Sequence, residues 1–348
     1  MKRCLTLLLL LLLASFLNME ASAQSFTAPA VTGKAEALMP EKTDAFGAGL
    51  LNMLEKLVPA ASSALRHALR TALGVFACVF LVSLLQSAGC SSSMSELAGA
   101  VGIATLMLQS SRSLIGLAVD TVNELSAYSK LLFPVLAAAS ASQGSVTSSA
   151  ALCAGTAVFT AVLTNLLRKL MIPAIYFFLA AAVAGCALGE DTLKSFRDQL
   201  KKLSAWFLKS ALTLFLTYMT ITGAVTGAAD KTALKATKAA ISAVVPVIGK
   251  NLADASEALL LSTELVKNAL GLYGIFAFLA IFLSPFVKLG AHYLVTKGIA
   301  ALCGILGSKR LTQLTEDFSA AMGLLLGMIG TMCALNMIAA VSFLKGAT

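Results

Sequence analysis

Few side chains in this sequence are able to do chemistry. Of 348 residues, 12% are charged and two are histidine. Arg112 lies within the apolar stretch 97–119, with Gln109 one turn before it and Ser110, Ser111 and Ser113 around it. A charge near the middle of a membrane-crossing helix costs roughly 2.5–3.5 kcal/mol on insertion scales. Arg112 is therefore expected to face the bundle interior, a water-filled cavity or a carboxylate such as Asp120, or else to snorkel to an interface. Gln109 and Arg112 are the candidate intramembrane polar residues.

A second group occupies residues 230–267. On a helix, Lys231, Lys235, Lys238 and Ser242 share one face, and Leu234, Ile241, Val245 and Ile248 share another. Pro246 and Gly249 interrupt that helix. After the break, Asp254, Glu257, Leu261 and Glu264 fall on one face, with Leu252, Leu259, Leu260 and Val266 supplying apolar surface. The pattern predicts a helix–break–helix insert with one basic and one acidic face. As a solvated surface its ion pairs would each contribute only about 0–1 kcal/mol. As a docking surface it offers Lys231, Lys235, Lys238, Asp254 and Glu257 as partner-binding candidates.

Catalytic signatures are missing. The sequence has no GxxxxGK[ST], no GxGxxG after a strand and no GxSxG. Asp120 and Glu124 share a helical face but sit at an expected outer boundary, where interfacial charge is the simpler reading. Lys209, Lys288 and His292 near span ends read as snorkelling anchors, with proton or substrate coupling as the alternative. The seven cysteines form no CxxC pair, and most lie in apolar segments where Cys behaves as a small hydrophobe. No enzyme activity, cofactor or metal is expected.

The elements that must position these residues follow from composition. Apolar residues make up 58% of the chain and the mean hydropathy is +0.87, against roughly 45–50% apolar and about 25% charged in soluble domains. The expectation is an all-α polytopic integral membrane helical bundle. Lys2-Arg3, the leucine-rich run 5–17 and Ala21-Ser22-Ala23 read as a signal peptide cleaved before Gln24. The net charge of +9 is spread among interhelical loops, which fits membrane topology rather than nucleic-acid binding.

The chain divides into a signal peptide (1–23), an outer polar and amphipathic segment (24–69), a first membrane helical region (70–229), the polar insert (230–267) and a second membrane helical region (268–348). Residues 24–46, with Pro29, Gly33 and Pro40, read as flexible, and 46–69 as an interfacial helix. The expected spans are 70–89, 97–119, 148–167, 170–189, 205–229, 269–287 and 318–344, with 128–142 as a short kinked eighth. Seven spans would leave Lys194, Arg197, Lys201 and Lys202 outside. Eight put loop 190–204 inside, the insert outside and Lys309-Arg310 inside, so the positive-inside tendency favours eight. Gly323-x-x-x-Gly327 fits the small-residue pattern of closely packed helices.

The arrangement resembles the stage III sporulation protein AE family of endospore-forming bacteria. The resemblance is carried by Leu234-Lys235-Ala236-x-Lys238-x-Ala240-Ile241, Val245-Pro246-Val247-Ile248-Gly249 and Asp254-Ala255-Ser256-Glu257. It implies a polytopic component of a channel or secretion-like complex in the mother-cell membrane surrounding the forespore, supporting late forespore development. It also implies other membrane proteins of that complex as partners, with the lipid bilayer around them, and leaves room for a homo-oligomer. A stand-alone secondary transporter or permease is the alternative.

Overall fold

The computed structural model describes residues 28–31, 33–40, 46–141, 146–188, 192–244, 249–306 and 309–345; the side chains of 220–268 and of a few other positions lie outside the description. The expected signal peptide falls outside it too. All regular elements among the described residues are helical: α1 (Phe46–Ser87), α2 (Ser92–Ala141), α3 (Val146–Leu166), α4 (Ile172–Leu188), α5 (Thr192–Val244), α6 (Gly249–Ile305) and α7 (Lys309–Lys345). A 3-10 turn, Gly33–Leu38, precedes α1, and a π turn, Leu167–Met171, joins α3 to α4.

Five stretches are long and apolar enough to cross a membrane: Gly47–Ser87, Ser92–Ala141, Ser149–Leu188, Ala269–Ile305 and Lys309–Phe343. The helical membrane class expected from composition therefore holds. The breaks between helices differ from expectation. Stretches 97–119 and 128–141 belong to one unbroken helix, α2, which runs through Pro134. Leu132, Phe133 and Leu136 are fully buried around that proline, and this packing holds the helix together where local propensity opposes it. Stretches 148–167 and 170–188 are likewise continuous. Arg168 and Lys169 sit exposed on the π turn, and Ile172 N–H donates to Leu167 O across it. The amphipathic segment 46–69 and the span 70–89 form the single helix α1, through Pro59. The expected span 205–229 lies within α5 and runs past the described side chains.

These helices exceed the bilayer they would cross. The 50 residues of α2 extend ~75 Å at 1.5 Å per residue, against a hydrocarbon core of ~30 Å. Its polar second half can therefore lie beyond the hydrocarbon.

Successive rods are antiparallel. At one end, where α1, α4 and α6 finish and α2, α5 and α7 start, Val82 of α1, Gly99 of α2 and Leu311 of α7 meet. At the opposite end Phe133 of α2 lies against Phe278 of α6 and Phe343 of α7. Residues 192–204, here the first turns of α5, and Lys309-Arg310 thus share an end. The N-terminal segment docks at the Phe133 end. Val31, Ala35 and Leu38 are buried, Tyr128 Oη donates to Pro29 O (3.3 Å), and Lys56 Nζ donates to Met39 O (2.8 Å). Residues 28–40 are thus packed, in place of the flexible segment expected there.

α7 is the central helix, packed against α2 to α6. Its Gly323 admits the Tyr293 ring of α6, and Gly327 admits Leu208 of α5. The small-residue pair is thus used within the chain. At Gly155 of α3 the Tyr218 ring of α5 occupies the space a Cβ would need, and Tyr218 Oη donates to Ala151 O (3.0 Å).

Topology can be tested with an impermeant maleimide on intact cells. Exposed Cys90 and Lys309→Cys should label from one side, and Ala141→Cys from the other. Labelling of Cys90 and Ala141→Cys from the same side would contradict a continuous α2 crossing.

Candidate functional site

Gln109 and Arg112 are exposed on α2. The buried face of α2 in this turn is Met107, Ser111, Leu114 and Ile115. One residue of helix turns the side chain by about 100°, which puts Arg112 outside the stripe that Ser111 belongs to. Of the two placements expected for Arg112, the structure has the outward-facing one. Asp120, its expected partner, instead joins Glu124, Tyr128 and Lys288 around a cavity of about 490 Å³ under the N-terminal segment. Lys231, Lys235, Lys238, Asp254 and Glu257 lie outside the described side chains.

Two polar clusters emerge that the sequence did not announce. The first unites the chain's two histidines. His67 Nδ1 of α1 lies 3.3 Å from His292 Nε2 of α6, with ring centroids 5.3 Å apart. Ser110 Oγ of α2 lies 3.5 Å from His292 Nδ1. Across each contact one atom must donate and the other accept, so the tautomers of the two rings are linked. His292 is buried, which corrects its reading as a snorkelling anchor. Three helices converge here, and the arrangement can hold and relay a proton between rings.

The second cluster lies at the end where α4 and α6 finish and α5 and α7 start. Arg197 of α5 is 5% exposed and Asp317 of α7 is 7% exposed. Arg197 Nη1 donates to Asp317 Oδ2 at 2.5 Å, and Gln313 Nε2, one turn earlier on α7, donates to Asp317 Oδ1 at 3.3 Å. Beside them Arg310 pairs with Glu96 of α2 at 3.4 Å, half-exposed, and Cys186 Sγ of α4 lies 3.6 Å from Arg310 O. A cavity of about 570 Å³ opens between these groups. Sequence reading placed Arg197 in a solvated basic loop. Arg197 turns inward because the helix α5 begins at Thr192, well before residue 205 where the expected span starts, and Asp317 meets it from the buried face of α7.

Comparison with known proteins gives two findings. Residues 38–345 match the family described as Stage III sporulation protein AE. A curated relative, "Stage III sporulation protein AE" of Bacillus subtilis (strain 168), is 24% identical over 233 residues, which cover 66% of this chain and 58% of that protein. The chain is thus aligned with little more than half of that relative's length. No solved structure matches.

The buried ion pair generates a stability prediction. Asp317→Asn or Arg197→Met leaves the remaining partner buried without its counter-charge, a loss of about 3–5 kcal/mol. Replacing both, Arg197→Met with Asp317→Leu, should recover most of it. Unfolding midpoints in detergent for the two single variants and the double variant measure the coupling. Additive losses would show that the pair is not a unit.

Proposed function

We propose, from the premise that this chain belongs to the stage III sporulation protein AE family, that it is a polytopic membrane component of a channel or secretion-like complex between mother cell and forespore. The observation that carries this reading is the extent of the family match, which runs from residue 38 to residue 345 and so includes the insert. Membership supports a role in sporulation, and the apolar helices support residence in a membrane. The expected site is the mother-cell membrane that surrounds the forespore. Its expected partners are other membrane proteins of the same complex, possible further copies of this chain, and no nucleic acid. The proposed role is structural or conductive, not enzymatic.

Within this reading, the Lys231, Lys235 and Lys238 face and the Asp254 and Glu257 face of the insert are the contact surface. Their charges fall in the sequence between the apolar stretches 205–229 and 269–287. Affinity purification from sporulating cells should recover other membrane proteins of the complex. Reversing all three lysines to glutamate should lose them and lower spore yield at least tenfold, with protein level unchanged. Normal yield and normal co-purification in the triple variant would remove the docking role.

A second reading, a stand-alone proton-coupled transporter, is favoured by the His67–His292–Ser110 convergence. It predicts pH-gradient-driven solute uptake by the purified chain in proteoliposomes, abolished by His292→Ala. Uptake by the chain alone would favour this reading. A requirement for co-purified proteins would favour the complex.

A further inference from the structure

The cavity beside Arg197 has the composition of an anion site. It is formed by the last turn of α4, the first turns of α5 and α7, and the last turn of α6. Four cationic side chains line it: Lys194, Arg197, Lys309 and Arg310. The acids nearby offset part of that charge. Asp317 holds Arg197, Glu96 holds Arg310, and Glu316 lies on the cavity wall. Glu190 and Asp191 precede α5 outside the described residues. Among the described residues, Lys194 and Lys309 then share the carboxylate of Glu316 on the cavity wall, and the described lining keeps a positive surplus.

Two observations say that this surplus is not there for helix stability. α7 opens on Lys309 and Arg310 and has no acid in its first turn. Cations at a helix N-terminus oppose the helix dipole, which favours an anion at that place. Arg197, 5% exposed, spends one donor on Asp317, while its buried Nε–H has no partner among the described residues. An unpartnered charged donor in a buried position is costly. The carboxylate of Asp317 fixes the guanidinium plane at the cavity wall. Forked guanidinium donors suit phosphate oxygens.

The surroundings suit a lipid. Leu188, Phe196 and Ile305 are exposed at the ends of the same three helices, α4, α5 and α6, where acyl chains would run. Lys201, Lys202 and Lys297 are exposed along α5 and α6 toward this end. That excess marks the cytoplasmic side under the positive-inside tendency, and basic pockets between helices on that side accept anionic headgroups.

We propose that this cavity binds a phosphate-bearing anion, either the headgroup of an anionic phospholipid or a free phosphate compound entering from the aqueous side. Gly185 keeps the site open. A Cβ there would stand 3.6 Å from Arg197 Cζ and Nη1, in ordinary contact, so a larger side chain would fill the space beside the guanidinium without removing a charge.

The test uses the full chain in micelles of the non-ionic detergent dodecyl maltoside and reads the unfolding midpoint. Phosphatidylglycerol, phosphatidylcholine and inorganic phosphate are titrated separately. A saturable rise of several degrees is expected from the ligand that fills the site. A rise with phosphatidylglycerol alone assigns the lipid source. A rise with inorganic phosphate that phosphatidylglycerol no longer adds to assigns the free-anion source. Gly185→Leu and the double variant Lys194→Gln with Lys309→Gln should abolish the rise while keeping the ligand-free midpoint near wild type. Lys201→Gln with Lys202→Gln should retain it. No rise in the wild-type chain, or an undiminished rise in both cavity variants, would overturn the proposal.

Discussion

Close packing against α7 is the interaction on which the rest of the bundle depends. Inside a bilayer, burying an apolar side chain gains little over leaving it in lipid, so helices associate through van der Waals contact and a few polar links. Both devices concentrate on α7. Phe318, Leu325, Ile329, Met332, Leu335 and Phe343 are fully or almost fully buried. Gly323 and Gly327 let Tyr293 and Leu208 approach the backbone. Polar links are added at Asp317 to α5 and at Ser319 Oγ, which lies 3.4 Å from Tyr293 O of α6. Helices that do not touch one another directly are held in place by touching α7.

The polar groups are arranged in levels along the helix axes. At one end the N-terminal segment, Asp120, Glu124 and Lys288 surround a cavity between α2 and α6. Farther along, His67, His292 and Ser110 tie α1, α2 and α6. At the other end the Arg197–Asp317 pair ties α5 to α7, and Arg310–Glu96 ties α7 to α2. Each level joins helices far apart in sequence, so each fixes the rotation of a helix as well as its position.

Composition alone made the membrane class legible, because 58% apolar and 12% charged residues cannot cover a water-facing surface. The grouping of basic residues was legible as well: residues 192–204 and Lys309-Arg310 meet at one end. Helix breaks were harder to read. A polar stretch between two apolar ones marks a change of surroundings, and residues 120–127 and Arg168-Lys169 make that change while staying helical. The two clusters were hidden for a different reason. Arg112 and Ser111 are neighbours in the same polar run, and only packing decides which of them turns inward. His67 and His292 carry no periodic signal, and the contact between them is a product of tertiary structure.

The π turn between α3 and α4 keeps two helices in rotational phase. Leu163, Leu167, Met171 and Ile175 are all buried although each lies four residues from the next. In a uniform α-helix three such steps would carry the buried stripe about 120° around the axis. The wider turn at Leu167–Met171 absorbs that drift, as a single-residue insertion into the helix does. Losing one residue there would rotate everything after it by about 100°. Gly185 and Cys186 would then leave the wall they share with Arg197. The geometry of the charged end is thus timed by a turn some fifteen residues away, in a part of the chain that contributes no charge to that end.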